Sequence, residues 1–307
     1  MNIMFFGSDD FALAHLETLL SSHHNVVGCV TQPDRPKNRG MKVVVSPIKE
    51  CALKNNIEVF QPDDLSDNDF VSALKKINAE IFVVIAYGKF LPDQLIGMPA
   101  YGAINVHGSL LPKYRGAAPI NWAIINGDTE TGVTIIRINA KMDAGDILSS
   151  EKVQILKDDT SISLREKMKE CGKRLLLDTI SGIKKGSLKV KAQDPKKASF
   201  ASKLSKETGK IDWNKSAKEI NDLIRGLQPW PGAYTFLNGK TLKILSAQIV
   251  KACAKPGQVV GISSEGILVA AKEGALLLKE VHLQDAKAMD IASFLRGHSI
   301  EIGFTFE

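Results

Sequence analysis

The chain has 307 residues, 44% of them hydrophobic and 24% charged, with a formal net charge of +6. That content suits one large or two ordinary buried cores and excludes a disordered chain, and no apolar run reaches the roughly 20 residues of a membrane span. Cys29, Cys51, Cys171 and Cys253 lie far apart with no CxxC pair, so neither a disulfide framework nor a metal site is expected.

The residues from Ile3 to Phe6 read as a strand, which leaves no room for a leader peptide, and with the unpaired thiols this points to the cytoplasm. Asp10 to Leu20 reads as a helix. Val26 to Thr31, Ile57 to Phe60, Ile81 to Ala86 and Gly102 to Val106 are further strand candidates, separated by amphipathic stretches around Pro47 to Lys54 and Asp67 to Asn78. This alternation predicts an α/β fold with a Rossmann-like, mostly parallel sheet. The first turn, Gly7-Ser8-Asp9-Asp10-Phe11, is neither GxGxxG nor a P-loop, which argues against a dinucleotide or NTP site. Between the second strand and its helix runs a long Pro-bounded basic loop, Gln32 to Pro47. In it Arg35, Lys37, Arg39 and Lys42 are candidates for phosphate contact, and Met41 and Val43 to Val45 for contact with bases.

Asp159 to Ile183 reads as a helix, with Leu164, Met168, Cys171 and Leu175 on one face and a capping box at Ser163-x-x-Glu166. The irregular basic stretch that follows, Lys184 to Lys197, reads as a linker. A second capping box, Ser216 to Glu219, opens a helix with Ile220, Leu223, Ile224 and Leu227 on its apolar face. Short strands then follow, with turn signals at Asn238-Gly239, Pro256-Gly257 and Glu273-Gly274, which predicts a smaller OB-like β-barrel. The expected domains are residues 1–187, a basic linker 188–204, and residues 205–307.

Charge is unevenly spread. Residues 1–160 carry 15 Lys and Arg against 19 Asp and Glu, whereas residues 161–307 carry 25 against 15. A basic half joined to a near-neutral one suggests a polyanionic partner.

The chemistry is expected at Ile104-Asn105-Val106-His107-Gly108-Ser109-Leu110-Leu111-Pro112. Asn105 and His107 are two residues apart at the end of a buried strand, so their side chains face one cleft, where open α/β sheets bind ligands. Gly132 to Ile138 is another β-rich run, and Asp143 lies on the loop behind it. A carboxylate that reaches His107 would orient its ring and favour the imidazolium form. An amide donor, a cationic donor and a supporting charge suit a carbonyl oxygen that becomes an oxyanion in acyl transfer. Tyr87 and Gly88 end a hydrophobic strand near the same edge. With Ser109, Leu110, Leu111 and Pro112 they are expected to wall a slot for a flat, pterin-like ring.

INVHGSLLPKYRG followed by GVTIIRINAKMDAGDIL resembles the paired signature of the folate-dependent formyltransferases, with Asn105, His107 and Asp143 on that family's catalytic positions. The resemblance extends from Asn2-Ile3-Met4-Phe5-Phe6-Gly7 through Gln32-Pro33-Asp34-Arg35-Pro36 to Lys203-Leu204-Ser205-Lys206-Glu207 and Ile211-Asp212-Trp213. It implies 10-formyltetrahydrofolate as co-substrate without a metal and initiator methionyl-tRNA as acceptor; a monomer is expected. It also implies a tRNA-contacting role for the basic insertion, with Arg39 the best-matched arginine, and for Lys203 and Lys206. The rivals are a formyltransferase acting on a nucleotide or amino-sugar amine, a formyltetrahydrofolate hydrolase, and a non-catalytic tRNA-binding protein.

Overall fold

The computed structural model describes residues 1–37 and 42–307. It divides into two compact units, the first made of Met1–Gly116, Gly132–Val153 and Arg165–Phe200, the second of Ala117–Thr131, Gln154–Leu164 and Ala201–Glu307.

The first unit opens with β1 (Asn2–Gly7), α1 (Asp10–Leu20), β2 (Asn25–Val30) and a short antiparallel hairpin, β3 (Arg35–Lys37) with β4 (Lys42–Val44). It continues with α2 (Pro47–Lys54), β5 (Val59–Phe60), α3 (Asn68–Ile77), β6 (Ile81–Ile85), α4 (Asp93–Ile96), β7 (Ala103–His107) and β8 (Arg115–Gly116). After α5 (Pro119–Ile125), a helix of the second unit, come β9 (Glu130–Arg137), β10 (Ile147–Gln154) and the long α6 (Ser161–Lys185). The seven-stranded sheet has the order β10-β9-β7-β6-β1-β2-β5. Its centre is parallel, as the strand and helix alternation predicts, and β9 runs antiparallel to β7.

Local chemistry explains the elements. Asp9 caps α1 by accepting from Ala12 N, and Phe11, Ala12, Leu16 and Leu19 then turn inward. Asp67 caps α3 through Phe70 N, and Asn78 ends that helix in the left-handed conformation. Along β1, Met4 and Phe6 join a core with Phe70, Val71 and Leu74 of α3, while Ile3 and Phe5 alternate to the other face and are equally buried.

The capping box expected at Ser163 and Glu166 is not the one that forms. Thr160 and Ser163 exchange side-chain to backbone hydrogen bonds one turn earlier, and Ser163 Oγ also donates to Asp159 Oδ1 at 2.8 Å. Glu166 instead pairs with Lys169 one turn on. Asp159 and Thr160 supply capping oxygens before Ser163 can, so the helix starts at Ser161 with Ser163 already inside it.

His15, on the inner face of α1, is fully buried. Its Nδ1 meets the Phe11 carbonyl at 2.7 Å, and its Nε2 has no partner among the described residues. Burial, which disfavours the charged ring, holds the imidazole down at about 4. The unfolded chain therefore takes up a proton near 6.5 that the fold refuses until about 4, so stability falls as pH drops through that window. This shift is worth roughly 3 kcal/mol. His24 is held down to about 4, first by burial, and adds to the same window. His15→Leu should flatten the pH dependence of the urea midpoint between 6.5 and 4; an unchanged slope would assign it elsewhere.

In the second unit, α5 is accompanied by α7 (Ala217–Gly226), which starts with the expected capping box of Ser216 and Glu219. The sheet comprises β12 (Ala233–Leu237), β13 (Lys240–Val250), β14 (Val259–Ser263), β15 (Gly266–Ala270), β16 (Ala275–Leu283) and β17 (Met289–Asp290), with α8 (Ile291–Gly297) behind. Preceding them is the two-residue β11 (Phe200–Ala201). The strand path is antiparallel, β12-β13-β16-β15-β14 with β17 on β16, so the second domain expected from short strands and turns is present. Asn238 and Gly239, both at positive φ, form the tight β12 to β13 connection that the Asn-Gly pair signalled. Trp213 stacks on Phe306 and donates to Thr235 Oγ1 at 3.2 Å, which places the Ile211-Asp212-Trp213 signature in the core. Among the described residues no helix is long and apolar enough to cross a membrane.

Candidate active site

The three residues singled out by spacing meet at one point. Asn105 and His107 lie on β7 opposite Ile136 and Thr134 of β9, and Asp143 lies on the loop between β9 and β10. Asn105 Nδ2 donates to Asp143 Oδ1 at 3.3 Å, and Asp143 Oδ2 lies 3.6 Å from His107 Nδ1. The latter distance is too long for a hydrogen bond. Both side chains are largely withdrawn from water, 6% exposed for His107 and 15% for Asp143, which strengthens any charge interaction between them.

The backbone fixes the remaining valences. His107 Nε2 lies 2.9 Å from the Tyr114 carbonyl, which can only accept, so Nε2 carries a proton. Nδ1 is therefore the ring nitrogen turned toward Asp143. Gly116 N–H donates to Asp143 Oδ2 at 2.9 Å. Ala86, Tyr114 and Asp143 are non-glycine residues at φ of +46°, +60° and +48°. Such conformations cost energy and persist where surrounding structure enforces them, commonly at functional sites.

One further residue of the site had no signature. Gln193, from the stretch read as a linker, donates through Nε2 to the carbonyls of Asp143 and Gly145 at 2.8 and 2.7 Å. Its Oε1 accepts from Arg115 Nε at 3.1 Å and Nη2 at 2.7 Å. That stretch is stapled to the first unit elsewhere too. Lys191 and Ile147 exchange two backbone hydrogen bonds, and Ser199 accepts from Tyr114 N and Arg115 N.

The residues expected to wall a ring follow two adjacent strands. Ser109 is fully buried, donates to the Lys113 carbonyl at 2.6 Å, and gives its own carbonyl to Thr134 Oγ1 at 2.6 Å. It shapes the turn that carries Leu110, Leu111 and Pro112. Leu111 is buried, with its N–H donating to Thr134 Oγ1 and its peptide bond to Pro112 cis. Tyr87 packs edge-on against Phe6 in the core, its hydroxyl has no partner among the described residues, and burial raises its phenol to about 12. Its carbonyl accepts from Gln32 Nε2 at 2.9 Å, and Gly88 beside it is exposed at φ +83°. A cavity of about 360 Å³ lies beyond Gly88, between the 63–66 and 89–92 segments, and none of Asn105, His107 or Asp143 lines it.

Of the proposed tRNA contacts, Arg35, Lys37 and Lys42 lie on the β3–β4 hairpin, while Arg39 and Met41 fall outside the described residues. Asp34 anchors the base of this hairpin through Lys49 Nζ at 2.5 Å and Gln61 Nε2 at 2.9 Å, and the Lys49 ammonium holds its carboxyl below the usual range. Lys203 and Lys206 are exposed on the second unit. Among the described residues no cluster of three His, Cys, Asp or Glu is placed to hold a metal ion.

A doubly wound sheet with an amide, an imidazole and a carboxylate converging at the end of β7 holds the kind of donor set that acyl transfer to a nucleophile uses. Residues 1–180 match the family described as Formyl transferase, and residues 203–299 match Formyl transferase, C-terminal domain. The chain belongs to the formyl transferase family. Within it, the methionyl-tRNA formyltransferase of Agathobacter rectalis is 46% identical, covering 100% of this chain and 99% of that protein. The protein of that name from Sulfurihydrogenibium is 45% identical, over 100% of both chains. The fold is shared with HypX of Aquifex aeolicus, solved with tetrahydrofolic acid, at a TM-score of 0.67 and 16% identity over 99% of this chain and 50% of that one. It is shared also with WlaRD, a sugar 3N-formyl transferase solved in the presence of dTDP and 5-N-formyl-THF, at a TM-score of 0.67 and 20% identity over 94% of this chain and 99% of that one.

Proposed function

We propose that this chain transfers the formyl group of 10-formyltetrahydrofolate to the α-amino group of methionine on initiator methionyl-tRNA, giving N-formylmethionyl-tRNA for translation initiation, as a cytoplasmic monomer. The observation that carries the reading is the convergence of Asn105, His107 and Asp143 in a chain alike along its whole length to proteins of that activity.

The division of labour follows from the valences. One N–H of the Asn105 amide is given to Asp143, and the other serves the formyl oxygen as it becomes an oxyanion. His107, with Nε2 tied to the Tyr114 carbonyl, presents Nδ1 as a cationic donor supported by the Asp143 carboxylate. The folate donor supplies the electrophilic formyl carbon and a nitrogen leaving group. The acceptor amine needs no strong base, because α-amino groups titrate near ~8 and an ester lowers that further. Asp143, with water as relay, moves the proton from the attacking to the departing nitrogen. Tyr87, Gly88 and the 109–112 turn are the assigned folate residues. The basic hairpin and Lys203 and Lys206 are assigned to the tRNA backbone, in line with the surplus of basic residues after position 160.

The test is transfer of labelled formyl to initiator methionyl-tRNA, beside elongator methionyl-tRNA and the His107→Ala protein. Transfer to the initiator alone, lost in the variant and weakening steeply with salt as phosphate contacts release counterions, is the expected result. Formate release without an acceptor would make the chain a hydrolase, and salt-independent tRNA binding would remove the assigned basic contacts.

A further inference from the structure

We infer that Gln193 is a positioning residue for catalysis, which clamps Asp143 by its backbone while Gly116 holds the carboxylate. This rests on the formyl-transfer reading and adds to it a residue outside the three that meet the substrates.

The contacts form a closed circuit. The Asp143 carbonyl accepts from Gln193 Nε2 at 2.8 Å, and Gln193 Oε1 accepts two bonds from Arg115. Arg115 precedes Gly116, whose N–H returns to Asp143 Oδ2 at 2.9 Å. A second Gln193 N–H takes the Gly145 carbonyl at 2.7 Å. The side chain thus uses both donors and both lone pairs of its amide. Asp143 sits at φ +48°, a conformation that relaxes unless it is held. The two-way bond between Lys191 and Ile147 continues the pairing and delivers Gln193 to the loop.

The required chemistry is narrow. Glutamate keeps an acceptor for Arg115, and a stronger one, but replaces the one nitrogen that supplies both donors with an oxygen that repels the Asp143 and Gly145 carbonyls. Asparagine is one methylene short, and alanine abandons both ends. If Gln193 served only to anchor Arg115, glutamate would rescue alanine; if it positions Asp143, glutamate would not.

The experiment compares Gln193→Ala, Gln193→Glu and Gln193→Asn with the wild-type full chain, reading kcat and both KM values in formyl transfer. Amide exchange of the 139–147 segment and thermal unfolding are read on the same folded preparations. The expected result is kcat lower by roughly 10- to 100-fold for Ala and Glu alike, KM values within about twofold, and faster exchange at 139–147, since a displacement near one ångström can cost on the order of 10² in rate. A glutamate variant at wild-type rate, a loss confined to KM, or unchanged exchange in the alanine variant would overturn the assignment. A wild-type protein inactive in transfer would refute the formyl-transfer reading alone, and the exchange comparison would still decide whether Gln193 holds the loop.

Discussion

Asn105→Ala is expected to lower kcat by about 10² to 10³ with little change in either KM, because the amide acts on charge that develops only in the transition state. The substitution removes the proposed oxyanion donor and also strips Asp143 Oδ1 of its 3.3 Å partner. Asn105→Asp should be at least as damaging, since it sets a second carboxylate against Asp143 in a site that is mostly shielded from water. Steady-state kinetics on initiator methionyl-tRNA provide the measurement, and a variant near the wild-type rate would remove Asn105 from the mechanism.

Gly145→Ala is the second large effect, and it operates through space rather than charge. A Cβ at this position would lie 1.7 Å from the Arg137 carbonyl oxygen and 2.8 Å from its carbon, both backbone atoms. Neither can swing aside, because Arg137 N is bonded to the Asp146 carbonyl across the same bend and Gly145 O is held by Gln193. The loop must therefore move by more than an ångström, and Asp143 travels with it. A loss of at least about 10² in kcat is expected, together with a stability cost of about 1–3 kcal/mol for overpacking. Urea unfolding and kinetics on the same sample check both, and a variant normal in each would show that the loop tolerates a different path.

The parts of this site that were legible in the sequence are those that periodicity exposes. A strand repeat of two puts Asn105 and His107 on one side, and a β-rich run ending in a glycine-containing loop puts Asp143 within reach. The helices of the first half were legible from their amphipathic pattern, and the structure adds the caps Asp9 and Asp67 to two of them. What stayed hidden has a common cause. The Tyr114 carbonyl, which fixes the proton on His107 Nε2, is a backbone group that every residue possesses. Gln193 lies amid lysines in a stretch without periodicity, and its meaning exists only once the 143–145 loop has folded against it. The capping box at Ser163 failed for a different reason: Asp159, Thr160 and Ser163 all offer capping oxygens, and sequence alone does not rank which turn begins first.

The staple between Lys191 and Ile147 and the reach of Gln193 also bear on modularity. A gene cut after residue 187 would encode all three proposed catalytic residues and look like a self-sufficient catalytic module, yet it would discard the Gln193 clamp. Recombination that grafts a new carboxyl-terminal domain onto this fold keeps the loop braced only if the junction falls beyond Phe200, where the first compact unit ends. The segment whose composition marks it as a mere linker is thus the one that a chimaera must inherit intact.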